Sequence, residues 1–303
     1  MNNCTLFGED YSYLVPLLLN KNENGNVHSR FSNGFNIKMG DSLVFIGNNK
    51  NGLLPFGIHL REQDTFTAVS SVNNGDSVSW NRRTSSIELP GVQISIEEGN
   101  SFKNELIPLK SENVFKASFE RFSLQLNEIE VRTGLDVSIK DFIKKFNSAG
   151  EQKWLGTESY LMMLIEAAMS SDETLIEKVL RYFLGRGQGL TPSGDDMIVG
   201  LLAFDAVSTT LSTCFYEKVS ELIEGESITT DVAREYLRYA LKQEYSSTVS
   251  NLINALADGN DSNFKKVLDD LIGVGHSSGL DTTLGILIGM LVFRNLKIIT
   301  ETN

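Results

Sequence analysis

The chain has 303 residues, a formal charge of −12 and 41% hydrophobic residues, enough for one large domain or two ordinary ones with a real core. It carries no basic run, which argues against nucleic acid or an anionic membrane as a partner. Two cysteines, Cys4 and Cys214, make neither a disulfide framework nor a metal-binding spacing, so a reducing, cytoplasmic setting is expected.

The opening MNNCTLFGED lacks the basic stretch of a secretory signal. Tyr11 to Leu19 reads as a short helix and Asn20 to Asn26 as a polar turn. From Val27 to about Leu109 the texture is β. The runs Phe35–Lys38, Ser42–Ile46, Thr65–Val72, Ser77–Trp80, Ser86–Leu89 and Val92–Ile96 alternate or are β-branched. Turn pairs such as Gly40-Asp41, Gly75-Asp76 and Pro90-Gly91 punctuate them. An antiparallel sheet or small barrel over residues 1–111 is the expectation.

After Ser111 the periodicity becomes helical. Helices are predicted over Val114–Ile129, Ser138–Phe146, Glu158–Met169, Asp172–Leu184, Asp195–Leu211, Thr229–Lys242, Thr248–Ala257, Asn263–Ile272 and Thr282–Leu296. The fold class is therefore α+β, with a helical domain over 112–303. The longest apolar run, Leu284 to Phe293, falls short of the roughly 20 residues a bilayer needs and reads as a buried helix.

One phrase occurs twice in the helical part. Ser193-Gly194-Asp195-Asp196 leads to Gly200 and Leu202; 85 residues later Ser278-Gly279-Leu280-Asp281 leads to Gly285 and Leu287. Each copy is a Gly/Ser loop opening an apolar helix, where unpaired backbone N–H groups sit at the positive end of the helix dipole. Two such junctions point to a paired site for a small anion. The first loop offers Gly187, Gly189, Thr191, Ser193 and Gly194; the second offers Ser277, Ser278 and Gly279. The competing reading is a tight interhelical turn with a serine cap. The first loop lacks the Gly-Lys-Ser/Thr of a phosphate-binding P-loop and follows a helix, unlike a dinucleotide fingerprint.

His276 is one of three histidines and can serve as a general acid or simply as a loop residue bonded to backbone. Arg238, between Tyr236 and Tyr239, can clamp a carboxylate or phosphate, or else pack by its stem. Asp195, Asp196 and Asp281 complement the helix dipoles in first turns; if the loops face each other, they can instead hold Mg2+. Gly200 and Gly285 read as the crossing point of a pseudo-twofold helix pair. Such a pair brings the two N-termini to one place or puts them at opposite ends.

The stretches GRGQGLTPSGDDMIVGLL, EYLRYALKQEYSS and LIGVGHSSGLDTTLGILIG, in this order, resemble the AllH family of bacterial proteins. VHSRFSNGFNI and DSLVFIGNNKNGLLPFGIHL resemble its opening strands, with Phe56 where relatives often carry Asn. The resemblance implies one of three subunits of a cytoplasmic oxamate carbamoyltransferase in allantoin and purine breakdown. The other two would be an FdrA-like protein related to acyl-CoA synthetases and a further subunit. The implied reaction cleaves oxalurate with phosphate to oxamate and carbamoyl phosphate, all small anions. Two other roles compete: a non-catalytic scaffold or anion sensor for the FdrA-like partner, and a related transfer on another substrate.

Overall fold

The computed structural model describes residues 4–148, 152–259 and 262–302. The chain divides into two compact units, Met1–Glu105 with Tyr245–Thr248, and Leu106–Glu244 with Val249–Asn303.

The first unit begins with β1 (Cys4–Phe7), β2 (Asp10–Ser12) and α1 (Val15–Lys21), the last with a proline in its first turn. There follow β3 (Asn24–Phe31), β4 (Gly34–Met39), β5 (Ser42–Gly47), β6 (Gly57–His59), α2 (Glu62–Ser71), β7 (Ser77–Asn81), β8 (Ser86–Leu89), β9 (Val92–Ser95) and β10 (Asn100–Phe102). The ten strands form one mixed sheet in the order β1-β9-β8-β7-β3-β4-β5-β6-β2-β10. The hairpin ladders are antiparallel, as the turn signals imply, but β1/β9, β5/β6 and β2/β10 are parallel. These parallel pairs come from chain continuity. β1 runs through Gly8-Glu9 into β2, and β9 runs on into β10, so the same two segments serve opposite ends of the strand order and the sheet must curl. Gly8 donates to Ser95 and Asn100 to Glu9 across this join. The core fills the inside of the curl with Val15, Leu19, Phe35, Ile37, Val44, Ile46, Ile58, Ile87 and Ile94.

Two local expectations fail here. The strand read over Thr65–Val72 is the latter part of α2. Its buried residues Thr65, Ala68 and Val72 recur at helical spacing, and the first turn carries Glu62 and Asp64. β-Branched residues suggested a strand; the burial period decided for a helix. The polar turn placed over Asn20–Asn26 is shorter, because β3 begins at Asn24.

The second unit contains α3 (Glu112–Leu126), α4 (Ile139–Phe146), α5 (Thr157–Ala168), α6 (Glu173–Phe183), α7 (Ser193–Ser208), α8 (Thr213–Gly225), α9 (Asp231–Ala240), most of α10 (Ser247–Asp258), α11 (Phe264–Ile272) and α12 (Ser278–Thr302). Side-chain caps set several starts: Ser111, Ser138, Asp172, Ser212 and Thr230 each accept from a backbone N–H two or three residues on. The sequence reading missed α8, although Phe215, Val219, Leu222 and Ile223 form a regular buried stripe behind the Ser212 cap.

At the centre lie α7 and α12. Nearly every residue of α7 is buried, and full burial of a side chain such as Ile198, Leu202 or Phe204 contributes about 1.5–3 kcal/mol. The stretch Ser278–Lys297 of α12 is long and apolar enough to cross a membrane by composition, but 83% of it is buried inside the protein, the mark of a core helix.

Candidate functional site

The two helices meet backbone to backbone. A Cβ added at Gly200 would lie 2.0 Å from the carbonyl oxygen of Thr282, and one at Gly285 would lie 1.9 Å from that of Met197. Thr282 is 85 residues after Met197, as Gly285 is after Gly200, so the contacts are exchanged by a twofold operation. Six residues earlier, each helix start presses on the end of the helix before it. Gly194 presses on the Phe183 carbonyl at the end of α6, and Gly279 on the Leu271 carbonyl at the end of α11, with added Cβ atoms at 1.9 and 1.8 Å. No residue but glycine fits these four places.

Both helices start two to four residues earlier than their charge pattern implied, at Ser193 and Ser278. The preceding loops fold back over them. Gly185, Gly187, Gly189 and Gly275 take positive φ, and Gly187 passes so close that its added Cβ would lie 2.5 Å from the Ser193 nitrogen. Gly194 donates to Arg186 and Gly279 to Val274. The two N-termini converge: the Thr191 and Ser278 hydroxyls are 3.0 Å apart across the loops.

Beneath the hydroxyls lie three aspartates, exposed by 1% at Asp195, 8% at Asp196 and 0% at Asp281. Asp195 is committed to the fold. It accepts from the Gly185 N–H at 3.1 and 3.2 Å and from the Thr229 hydroxyl at 2.7 Å, and burial lifts its pKa to about 6 despite these bonds. Asp196 and Asp281 are the exchanged pair. Ser278, and then Thr191, act on Asp196; Ser193 and Ser277 act on Asp281, each helix sending its leading serine to the other's aspartate. Burial raises both carboxyls, Asp196 well above the usual range, and Asp281 adds its charge to that rise. Asp281 also accepts from the Gly134 N–H at 2.8 Å. One oxygen of each, Oδ2, remains buried with no hydrogen-bond partner.

Gly134 closes the cluster from a third direction. Its added Cβ would stand 2.0 Å from Ser193 Oγ, 2.7 Å from Ser277 Oγ and 2.9 Å from Asp281 Oδ2. Tyr236 of α9 feels the Asp196 charge, which with burial pushes its phenol upward. On the first loop, exposed Arg186 lies 3.8 Å over the Tyr182 ring, which itself stacks on Tyr160 at 3.5 Å.

Thus Thr191, Ser193, Ser277, Ser278, Asp196 and Asp281 come together, with Gly187, Gly194 and Gly279 shaping the backbone around them. Gly189 sits exposed in the loop with open space about it. His276 is exposed on the loop ahead of Ser277. Arg238 is spent elsewhere: its fork holds Glu224 at 2.6 Å through two nitrogens and Glu235 at 3.3 Å, which removes the free clamp expected of it. Of the three aspartates expected to hold a metal, one is engaged elsewhere. Asp195 serves Gly185 and Thr229, and among the described residues no three His, Cys, Asp or Glu side chains are placed to hold a metal ion. Sequence reasoning did not find Gly134, Thr229 or Tyr236; a glycine amid Thr133 and Leu135 gives no local signal that it lies on a site 147 residues away.

A family model described as oxamate carbamoyltransferase subunit AllH matches residues 183–290, which span both loops and both first turns. A second, the AllH family N-terminal domain, matches residues 8–101, the curled sheet. The chain belongs to the AllH family. No solved structure matches it. The match over 183–290 contains every element of the twofold arrangement except Gly134, so the AllH signature and the converging N-termini are the same stretch of chain.

Proposed function

We propose that this AllH protein works in the cytoplasm as one subunit of a three-subunit oxamate carbamoyltransferase, beside an FdrA-like subunit and a third, and that the converging N-termini of α7 and α12 hold a small anion of that reaction. The observation carrying this reading is the reciprocal arrangement of Ser193 and Ser278 over Asp281 and Asp196 at two helix N-termini. Hydroxyls fixed before the ligand arrives stabilise oxygen charge without reorganising. The burial that drives Asp196 toward its neutral form removes the repulsion that an ionised carboxylate would exert there.

In the proposed reaction a phosphate oxygen forms a bond to the terminal carbonyl carbon of oxalurate. The bond from that carbon to the internal nitrogen breaks, and the nitrogen takes a proton and leaves as oxamate. Carbamoyl phosphate is the other product. Thr191, Ser193, Ser277 and Ser278 hold the anionic oxygens, and exposed His276 is the proton carrier nearest the second loop. In the assembled complex, Ser193→Ala and Ser278→Ala each raise the KM for phosphate or oxalurate about tenfold or more, the scale of one lost anion hydrogen bond. Unchanged kinetics in both variants would remove the site.

A second reading is favoured by the pairing of Arg238 with Glu224 and Glu235, which leaves the loops with fewer reactive side chains than the sequence offered. In it this chain is a non-catalytic scaffold or anion sensor for the FdrA-like subunit. Full turnover by the other two subunits alone would favour it.

A further inference from the structure

The C-terminal half of α12 carries an arginine that no acid holds. Arg294 is half-buried; its Nη1 donates to Asn147 Oδ1 at 3.1 Å, and its guanidinium lies 5.3 Å from the Phe119 ring and 5.9 Å from the Phe146 ring. The chain has 39 acidic residues against 27 basic ones, yet among the described residues none pairs with this guanidinium. Its planar fork keeps donors for an anion from outside. Arg294 also lines a cavity of about 380 Å³ between α3 and α12. Phe115 and Phe119 supply the apolar part of the lining, stacked with ring centroids 5.9 Å apart. Lys116 and Lys297 add positive charge to it. Glu112 and Glu120 add negative charge, and Lys116 already holds Glu112 at 2.8 Å.

The shape suits a small molecule. Phe115 is 4% exposed and Phe119 only partly exposed, so the rings are recessed and do not stand out as a docking patch does. The volume falls within the range of about 300–1,000 Å³ typical of ligand sites, which join apolar walls to a few placed polar groups. Arg294 follows Ser278 by 16 residues, roughly 24 Å along a helix that rises about 1.5 Å per residue, so this cavity is separate from the converging N-termini. We propose that it is a second ligand site, which takes an organic anion with an aromatic body. The ring lies against Phe115 and Phe119, where aromatic pairing gains beyond the area it buries. The carboxylate or phosphate group meets the unpaired edge of Arg294, with the charge of Lys297 beside it. A bare small anion has nothing to lay on the rings, so the proposal does not depend on the reading of the helix N-termini.

The test titrates the full chain with anilinonaphthalenesulfonate, an aromatic anion that fluoresces on leaving water, and with N-phenylnaphthylamine, the same rings without the sulfonate. The wild type binds one sulfonate per chain, and inorganic phosphate does not displace it. Arg294→Gln weakens the sulfonate about tenfold or more, the scale of one charge-assisted hydrogen bond, and leaves the neutral amine within about twofold. Phe119→Ala weakens both dyes. Lys116→Glu, an exposed position on α3, weakens the sulfonate selectively and serves if Arg294→Gln fails to fold. Naphthoate, AMP or both displace the sulfonate, and which of them does so tells a carboxylate head group from a phosphate. Any one of four results overturns the proposal: no saturable binding of the sulfonate, an equal effect of Arg294→Gln on both dyes, displacement by phosphate, or displacement by neither naphthoate nor AMP.

Discussion

The crossing of α7 and α12 makes the sharpest stability prediction. In Gly200→Ala the new methyl lies 2.0 Å from the Thr282 carbonyl oxygen and 3.0 Å from the Ile286 nitrogen, both backbone. Ordinary contact needs about 3.5 Å, so the helices must part by about 1 Å or more along a crossing that is buried throughout. Overpacking of this kind costs about 1–3 kcal/mol and more where backbone must move. Alanine returns about 1 kcal/mol through helix propensity. Taking the upper end, because backbone must move, the net is a loss of about 2 kcal/mol, which lowers the melting temperature by about 4–8 °C for a unit of this size. Gly285→Ala meets the Met197 carbonyl at 1.9 Å and loses a similar amount. Since one separation of the helices relieves both clashes, the double variant is less destabilised than the sum by about 1 kcal/mol. Gly225, at the exposed end of α8 with nothing within 4 Å, is the control, and Gly225→Ala is neutral or stabilising. The assay is thermal and urea unfolding followed by far-ultraviolet circular dichroism. A stabilised Gly200→Ala, gaining only its helix propensity, would refute the crossing.

Other consequences can be checked separately. His59 accepts from the Leu54 N–H through Nε2, so its proton is on Nδ1, facing the Asn48 carbonyl; burial lowers its pKa to about 4. Its depressed pKa means that its contribution, about 3 kcal/mol, is fully present above the unfolded value of 6.5 and is lost as pH falls toward 4. Urea midpoints of the wild type drop over that window, and those of His59→Gln, which cannot titrate, have a flatter pH slope. Asp195 behaves oppositely: with a folded pKa near 6 against 3.8, its contribution is present below pH 3.8 and lost as pH rises through 6, so amides around Gly185 exchange faster at pH 7 than at pH 5 after correction for intrinsic rates. Gly134→Ala drives a methyl onto Ser193 Oγ and cuts affinity for phosphate at least tenfold while melting within a few degrees of wild type. Arg238→Gln breaks the pairs with Glu224 and Glu235, lowers the melting temperature and leaves ligand affinity within twofold.

The offset of 85 residues was legible because each repeat is local: a glycine loop, a serine and an aspartate on one turn. The pairing of Gly200 with Gly285 was legible for the same reason, since two glycines inside apolar helices need a neighbour's backbone to explain them. The direction of convergence was not, because a twofold crossing is compatible with either arrangement until the Thr191–Ser278 contact fixes it. Arg238 looked free because its partner Glu224 lies 14 residues away on another helix, beyond any local pattern. Similarly, parallel pairing of β1 with β9 depends on contacts some 88 residues apart, while the hairpins that made an antiparallel sheet look natural are formed by neighbours. The β-branched composition of α2 reads as strand, and only the spacing of its buried positions Thr65, Ala68 and Val72 marks the helix.

The central claim is that the two loops make one ligand site. Calorimetric titration of the full chain and of the assembled complex with phosphate and carbamoyl phosphate, repeated on Ser193→Ala and Ser278→Ala, tests it most directly. The account predicts one saturable event in the wild type, weakened about tenfold or more in each variant, because each serine serves the aspartate of the other repeat. Wild-type affinity in both variants, or a loss confined to one, would contradict it.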